Sequence, residues 1–187
     1  YILFVGYEQA SNGYESEQGS DDEQTSAGGY ESDAASAYDE ASKGYEQASA
    51  YDPCNGRIIL FGGNDFQPEA CADFGPKRFQ GDTWMYSLAA QNWARVDPLI
   101  PPHPRGRHNM VLDQVRKKIY LFGGRYREQP NTGEYRLFND FWAFDLNTDT
   151  WSQLQTTGDV PTGRSNAAMV YDYLYDRVIL FGGSTST

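Results

Sequence analysis

Short apolar runs, each ending at two glycines, are the most regular feature of the chain. The runs at 58–61, 119–122 and 178–181 are rich in β-branched and aromatic residues and do not alternate with polar ones. Runs of this kind, bounded by glycine, predict strands, and the absence of polar alternation predicts burial on both faces. Two adjacent glycines allow positive φ and leave room for a neighbouring backbone.

The glycine-terminated phrase Leu-Phe-Gly-Gly recurs at spacings of 61 and 59 residues, and other elements recur with it. An aspartate stands ten residues before each first glycine, and the first two copies are followed by Asp-x-Trp and, nine residues later, by a second tryptophan. The aspartates are Asp52, Asp113 and Asp172, and the tryptophans are Trp84, Trp93, Trp142 and Trp151. A fixed period of this size indicates a repeat architecture.

Four strands per repeat, A to D, are predicted from this pattern. Strand A is expected at about 47–52, 109–113 and 166–172, and strand B at 57–61, 117–122 and 177–181. Strand C is expected at 83–88 and 141–146, and strand D at 92–97 and 150–155. The four tryptophans are expected in the core, as wedges between neighbouring sheets.

These spaced elements, together with Gly106-Arg107 and Gly163-Arg164 where the cycle restarts, resemble the kelch repeat over residues 51–187. The resemblance implies an all-β fold, a kelch-type β-propeller in which each repeat forms one four-stranded blade. Two complete blades are expected, plus partial blades at both ends, with repeats centred on 62–63, 123–124 and 182–183. Because blades cannot bury their apolar flanks alone, the chain is expected to be a fragment of a larger ring. The recurrent arginine is expected to bind carbonyls or a carboxylate between blades.

The beginning of the chain is harder to assign. Residues 1–6 contain a blurred copy of the motif and are expected to form strand B of a partial blade. Residues 7–50 are acidic and rich in Tyr, with eleven carboxylates against Lys43, and their composition is typical of disorder. The spacing from Phe4 to Phe61, however, is what one more blade needs. Two alternatives therefore stay open: the stretch traces the rest of that blade, or it is a low-complexity insertion on the propeller surface.

Charge and hydropathy exclude two classes of function. The net charge of −11 argues against nucleic-acid binding, which needs clustered Lys and Arg. No apolar stretch approaches 18 residues, so no membrane span is expected. No signal peptide is visible, and the localisation is left open.

Candidate catalytic and metal-binding residues are few. The two histidines, His103 and His108, lie on one connection, where Asp97 and Asp113 are the only nearby candidates for further metal ligands. The chain has no glycine-rich phosphate loop and no Ser-His-Asp arrangement. The sequence therefore predicts no catalytic residues, no metal site and no cofactor, and it favours a binding protein over an enzyme.

The connections from strand B to strand C, at 64–81 and 125–139, are longer than a hairpin needs, and both leave the same face. Loops of this length are usually functional or disordered. They combine aromatic side chains with cations, the residue types enriched at protein interfaces. The candidate binding residues are Phe66, Phe74, Lys77, Arg78, Phe79, Arg125, Tyr126, Arg127, Tyr135 and Arg136. The alternative is that the aromatic rings only pack the loops onto the blades.

Three functions are compatible with these observations. The first is a non-enzymatic binding module that docks a protein, or a glycan, through its long B–C loops. The second is a structural subunit of a larger multi-chain assembly, in which adjoining chains cover the open flanks. The third is an enzyme or metal-dependent propeller whose site is completed by further blades.

Overall fold

The computed structural model of this protein describes residues 2–5, 46–64, 79–128 and 134–186, and these residues form an arrangement of β-strands. The strands are β1 (Ile2–Val5), β2 (Ala48–Asp52), β3 (Arg57–Asn64), β4 (Phe79–Ser87), β5 (Asn92–Val96), β6 (Asn109–Asp113), β7 (Lys118–Phe122), β8 (Arg125–Tyr126), β9 (Arg136–Leu137), β10 (Phe141–Asp145), β11 (Thr150–Leu154), β12 (Ala168–Asp172) and β13 (Arg177–Phe181).

Two four-stranded antiparallel sheets have the spatial order A-B-C-D that the repeat predicts. Blade 1 is β2-β3-β4-β5 and blade 2 is β6-β7-β10-β11, while β12 and β13 are strands A and B of blade 3. The strand bounds confirm the predicted elements, with most ends within two residues. The main difference is in blade 1, where β3 continues to Asn64 and β4 begins at Phe79. The B–C connection of blade 1 is therefore 65–78, which lies outside the described residues.

The strand at the start of the chain pairs with blade 3. β1 runs parallel to β13 and occupies the place that strand C holds in blades 1 and 2. Residues 6–45 lie outside the described residues. The assignment of residues 1–6 to strand B of a partial blade therefore stays a prediction, and so do both alternatives for the stretch up to residue 45. Residues 48–50 belong to β2, which is strand A of blade 1.

Strand A of each blade lies next to strand A of the following blade, since β6 contacts both β2 and β12. Because neighbouring strands within a blade are antiparallel, the A–B and C–D turns lie at one face and the B–C and D–A connections at the other. We call these the turn face and the loop face. Just before each strand A, a residue with positive φ hydrogen-bonds to its counterpart in the next blade: the Arg107 N–H donates to the Glu46 carbonyl (2.8 Å), and the Asn166 N–H donates to the Arg107 carbonyl (3.0 Å).

The core lies between the blades. Ile119 and Leu121 of β7 belong to an apolar cluster shared with blade 1, whereas Phe122 belongs to a second cluster shared with blade 3, against which Tyr120 also packs. Strand β7 is thus packed on both faces, as its continuous apolar run predicts.

The tryptophans divide into two pairs. Trp142 and Trp151 are buried between blades 1 and 2, as predicted, and the Trp151 indole donates to the Thr83 hydroxyl across that junction (3.0 Å). Trp84 and Trp93 are only half-buried, contrary to the expectation, and they occupy the corresponding positions in blade 1. The reason is that their flank of blade 1 faces away from blade 2, so no other described blade covers it.

The double glycines allow neighbouring blades to approach closely. Gly62 has φ of 65°, and a Cβ atom placed there would lie 2.6 Å from the Arg105 carbonyl oxygen. The next residue, Gly63, donates its N–H to that same oxygen (2.8 Å). The prediction that the glycines provide positive φ and space for a neighbouring backbone is therefore confirmed.

His108 is buried at the start of β6, with its ring edge-on to Phe61 at 5.5 Å between centroids. Burial is the main cause that lowers the pKa of the His108 imidazole to about 3, and the charge of Arg105 lowers it further. The imidazole is therefore neutral at physiological pH, and it belongs to the core between blades 1 and 2.

We predict that Gly62→Ala is much more destabilising than Gly182→Ala. Gly182 occupies the same motif position in blade 3 with a similar φ of 67°, but a Cβ atom there would meet no described atom within 4 Å, so its substitution costs only backbone strain of about 1 kcal/mol. At Gly62 the clash with the Arg105 carbonyl should add about 2 kcal/mol. Urea unfolding of both variants measures the difference, and equal losses would contradict close backbone approach at this junction.

We also predict that His108 makes the fold sensitive to acid. The unfolded chain gains a proton on this histidine below its ordinary pKa of about 6.5, whereas the folded chain keeps it neutral down to about pH 3. Stability is therefore lost as the pH falls through this window, by about 2 kcal/mol between pH 7 and pH 5. Blade 3 has alanine, Ala167, at the position equivalent to His108. His108→Ala should therefore fold, and urea titrations at pH 7 and pH 5 should show that it no longer loses this stability. His103→Ala is the matched control, and an unchanged pH dependence in His108→Ala would rule the account out.

Candidate functional site

One arginine joins blades 1 and 2 at the loop face. The Arg105 guanidinium is fully buried and donates to both carboxylate oxygens of Asp140 (2.6 and 2.8 Å) and to the Gly123 carbonyl (2.9 Å), all in blade 2. Its backbone carbonyl accepts the N–H of Gly63, and its own N–H donates to the Gln80 carbonyl (3.1 Å), both in blade 1. The main chain of Arg105 is thus bound to one blade and its side chain to the next.

Arg164 repeats this arrangement between blades 2 and 3. Its carbonyl accepts the Gly124 N–H (2.8 Å), and its guanidinium donates to the Gly182 carbonyl (2.8 Å). The expectation of a recurrent arginine that binds carbonyls or a carboxylate is confirmed. The predicted match of Arg107 with Arg164 is wrong, however, because Arg164 corresponds to Arg105. Both of these arginines stand eight residues before the aspartate that ends strand A, and only Arg164 follows a glycine.

The carboxylate of Asp140 also orients a tryptophan. Besides Arg105 it accepts a hydrogen bond from the Trp142 indole (2.7 Å), and Asp82 accepts one from the Trp84 indole (2.6 Å) in blade 1. Burial alone would raise the pKa of the Asp140 carboxyl, but the hydrogen bonds and charge of Arg105 hold this pKa below its ordinary value. Asp140 is therefore an ionised structural group and is not poised for proton transfer.

Aromatic rings continue from Arg105 toward the surface of the loop face. The Arg105 guanidinium lies over the Phe138 ring at 4.0 Å. The His103 ring packs between Phe138 (5.5 Å between centroids) and Tyr126 (4.5 Å), and Tyr126 lies 5.6 Å from Phe79. His103 is therefore a packing residue of the D–A connection. No group of three or more His, Cys, Asp or Glu side chains that could hold a metal exists among the described residues.

The long B–C connection of blade 2 contains a two-stranded ribbon, formed by β8 and β9. The ribbon brings Arg125 and Arg127 against the ring of Tyr135, at 4.1 and 4.6 Å from its centroid. Arg136, which is exposed, lies 5.0 Å from the Phe138 ring. Such cation–π contacts are worth about 0.5–1 kcal/mol at exposed sites and favour these positions of the arginine side chains.

The structure brings six of the ten predicted binding residues together. They form what we call the arginine–aromatic cluster: Phe79, Arg125, Tyr126, Arg127, Tyr135 and Arg136. The other four candidates, Phe66, Phe74, Lys77 and Arg78, lie outside the described residues. The rings of the cluster are half-buried against one another, as the alternative that they pack the loops onto the blades predicts, whereas a role of these residues in binding stays a prediction.

A carboxylate that the sequence did not single out anchors the ribbon. Glu46 accepts hydrogen bonds from the guanidinium of Arg107, from Arg125 (2.6 Å) and from the side-chain amide of Asn64 (2.9 Å). These partners come from the ends of the D–A and B–C connections in blades 1 and 2. Glu46 thereby neutralises Arg125 and ties the ribbon to blade 1.

No helix of the described residues is long and apolar enough to cross a membrane.

Comparisons with known proteins agree with this architecture. Residues 32–187 match the family model of the KLHDC2/KLHL20/DRC7 Kelch-repeats domain. The solved structure titled "Structure of YjhT" superimposes with a TM-score of 0.52 at 18% identity, covering 69% of this chain and 42% of that one, a likeness that concerns the fold alone.

Several curated relatives share part of this sequence. Mei4-dependent protein 6 of Schizosaccharomyces pombe is 33% identical over 107 residues, which are 56% of this chain and 14% of the relative. Dynein regulatory complex subunit 7 of Chlamydomonas reinhardtii is 34% identical over 82 residues, 44% of this chain and 6% of the relative. Kelch domain-containing protein 2 of Bos taurus is 28% identical over 144 residues, 70% of this chain and 33% of the relative. The matched segments span a third or less of these relatives. The family model matches residues 32–187, which are most of this chain, and the two complete blades have the antiparallel A-B-C-D order. The chain therefore belongs to the kelch-repeat family.

Proposed function

We propose that this chain is a protein-binding module whose loop face docks a partner protein through the arginine–aromatic cluster. The observation that carries the proposal is the β8–β9 ribbon, which places half-buried Arg127 on the ring of Tyr135 and exposed Arg136 near the ring of Phe138. Membership of the kelch-repeat family supports a propeller that mediates protein interactions. The glycan alternative finds no support in the family comparison.

The energetics of the cluster favour protein recognition. Arginine and tyrosine are the residue types that dominate binding energy at protein interfaces. A flexible arginine normally loses about 0.5–1.5 kcal/mol of side-chain entropy on binding. Here the rings of Tyr135 and Phe138 already restrict Arg127 and Arg136, so less of this entropy remains to be lost when a partner binds.

The charges of the cluster indicate which side chains remain for a partner. Arg125 is paired with Glu46 at 2.6 Å. Arg127 and Arg136 form no ion pair among the described residues, whereas Glu128 and Glu134 lie exposed at the two ends of the ribbon. The partner we expect therefore places carboxylates or carbonyls on Arg127 and Arg136, and avoids the two glutamates at the rim.

A second candidate is a subunit of a multi-chain assembly. One relative is named as a subunit of a dynein regulatory complex, and that name describes the relative. In this chain the half-buried flank of blade 1 that carries Trp84 and Trp93 supports the idea, because the Trp93 indole N–H is buried without an acceptor among the described residues.

The test is quantitative affinity capture of the tagged chain from cells of its source, comparing wild type with the double variant Arg127→Ala/Arg136→Ala. We expect at least one co-purified protein to be reduced about tenfold or more by the double variant, since truncating each hot-spot residue costs more than about 1 kcal/mol. The melting temperature should stay within about 3 °C of wild type, because neither arginine joins a buried pair.

Arg95→Ala is the matched control. Arg95 is also an exposed arginine, but it lies on β5 at the outer edge of blade 1, and exposed Asp97 is its one ion-pair partner among the residues that the structure describes. Loss of the same proteins with Arg95→Ala, or their full retention in the double variant, would contradict docking at the cluster. Proteins that are retained in the double variant but lost on Trp93→Ala would favour the assembly role.

A further inference from the structure

The A–B turn of blade 1, residues 53–56, contains an asparagine followed directly by a glycine. This pair, Asn55-Gly56, lies at the turn face, and the Asn55 side chain is exposed. The sequence has one other Asn-Gly pair, at 12–13, which lies outside the described residues. Lys117 and Asp176 take the place of Gly56 in the next two A–B turns and have a similar positive φ, so the geometry of the turn does not require this pair.

An asparagine that precedes a glycine can lose its side-chain amide without an enzyme. The backbone nitrogen of the glycine attacks the side-chain carbonyl carbon of the asparagine and gives up its proton, and the amide nitrogen leaves as ammonia. The product is a cyclic succinimide, which water opens at either carbonyl to leave an aspartate or an isoaspartate. Glycine permits the attack because it has no Cβ beside the attacking nitrogen, whereas a β-branched residue crowds that position.

The surroundings of Gly56 leave room for this ring to close. A Cβ atom placed at Gly56 would meet only side-chain atoms of Leu88 within 4 Å among the described residues, the nearest at 3.7 Å, which is an ordinary contact. No backbone of a neighbouring strand in the described part of the chain approaches the turn at this point. The double glycines of the motif differ in this respect, because a Cβ at Gly62 would clash with the Arg105 carbonyl oxygen at 2.6 Å.

The amide of Asn55 supports a buried carboxylate. Its Nδ2 donates to Oδ2 of Asp52 (2.8 Å), and Asp52 is buried at the end of β2. The same carboxylate accepts the Cys54 N–H (3.1 Å) and the Nε–H of Arg57 (3.0 Å). Burial by itself would raise the pKa of the Asp52 carboxyl, but the hydrogen bonds of Asn55 and Arg57 hold this pKa below its ordinary value. Deamidation replaces the amide donor with a second carboxylate.

Arg57 connects this carboxylate to blade 2. Its guanidinium donates to the Asp149 carboxylate (3.1 Å) and to the Leu146 carbonyl, both in the C–D turn of blade 2. Arg57 is thus shared between a carboxylate of blade 1 and a carboxylate of blade 2. A further carboxylate at position 55 would repel Asp52 and compete for the same guanidinium.

We propose that Asn55 is a site of spontaneous deamidation, and that its products weaken the connection through Asp52 and Arg57 between blades 1 and 2. Aspartate removes the amide donor from Asp52. Isoaspartate also inserts a methylene into the backbone before Gly56, whose carbonyl accepts the Leu88 N–H (2.9 Å). The site is on the opposite face from the arginine–aromatic cluster and does not rest on the function proposed above.

Peptide mapping of the folded full chain tests the modification. The chain is incubated in mildly alkaline buffer below its melting temperature, and mass spectrometry with chromatographic separation of isoaspartate follows Asn55. Asn147 is the matched control in the same molecule, because it is an exposed turn residue whose amide also donates to an aspartate, Asp145 (3.2 Å), but a threonine follows it. We expect Asn55 to convert about tenfold faster than Asn147 or more. Gly56→Lys, with the residue type of position 117, should slow Asn55 by a similar factor.

The consequence is measured on Asn55→Asp, which carries one product of the reaction. We expect its melting temperature to fall by about 3 °C or more, because Asp52 loses a donor and gains a like charge. Asn92→Asp makes the same change of charge at an exposed residue of β5 and should shift the melting temperature by less than half as much. The proposal is overturned if Asn55 converts no faster than Asn147, if Gly56→Lys does not slow it, or if Asn55→Asp melts no lower than Asn92→Asp.

Discussion

Arg105 makes a fully buried set of hydrogen bonds between blades 1 and 2, which also meet through apolar contact and through the polar contacts of Trp151 and Glu46. Its carbonyl and N–H are bound to blade 1, while its guanidinium is bound to Asp140 and Gly123 of blade 2. Apolar packing is not directional, so it brings the blades together without fixing their relative position. A planar guanidinium bound at two oxygens of one carboxylate does fix it. The close approach at Gly62 follows from this position, because the Arg105 carbonyl occupies the space that a side chain would need.

The same arginine supports the candidate binding site. Its guanidinium lies over the Phe138 ring, His103 packs against that ring, and Tyr126 packs edge-on against His103. The β8–β9 ribbon rests on this stack and is tied to blade 1 through Glu46. The loop face is therefore built upward from the junction between the blades. A substitution that loosens the junction should also displace Arg127 and Arg136, which would link stability to the docking proposed for this face.

Much of the fold follows from the sequence because its signals are local and repeated. Continuous apolar runs ending at two glycines locate strand B, and the fixed distances to aspartate and tryptophan locate strands A, C and D. The sequence pattern matches Arg164 with Arg107, because each follows a glycine, whereas the eight-residue distance to the aspartate that ends strand A matches Arg164 with Arg105. Half-burial of Trp93 depends on which flank a neighbouring blade covers, which the repeat pattern does not encode.

The candidate site was less accessible from the sequence. Aromatic and arginine residues in a long loop indicated a surface for binding, but β8 and β9 have two residues each, too few for a periodic pattern. Glu46 belongs to an acidic stretch whose composition is typical of disorder, so its contacts with Arg107 and Arg125 could not be anticipated. Such contacts depend on tertiary proximity between residues about 60 to 80 positions apart.

A double-mutant cycle on Arg105 and Asp140 tests most directly whether this pair determines the junction. Urea unfolding is measured for wild type, Arg105→Ala, Asp140→Ala and the double variant. We expect each single change to cost about 3 kcal/mol or more, because it leaves a buried charge without its partner. The double variant should cost at least about 2 kcal/mol less than the sum of the two. Additivity within about 0.5 kcal/mol would contradict the account, since the two side chains would then act independently.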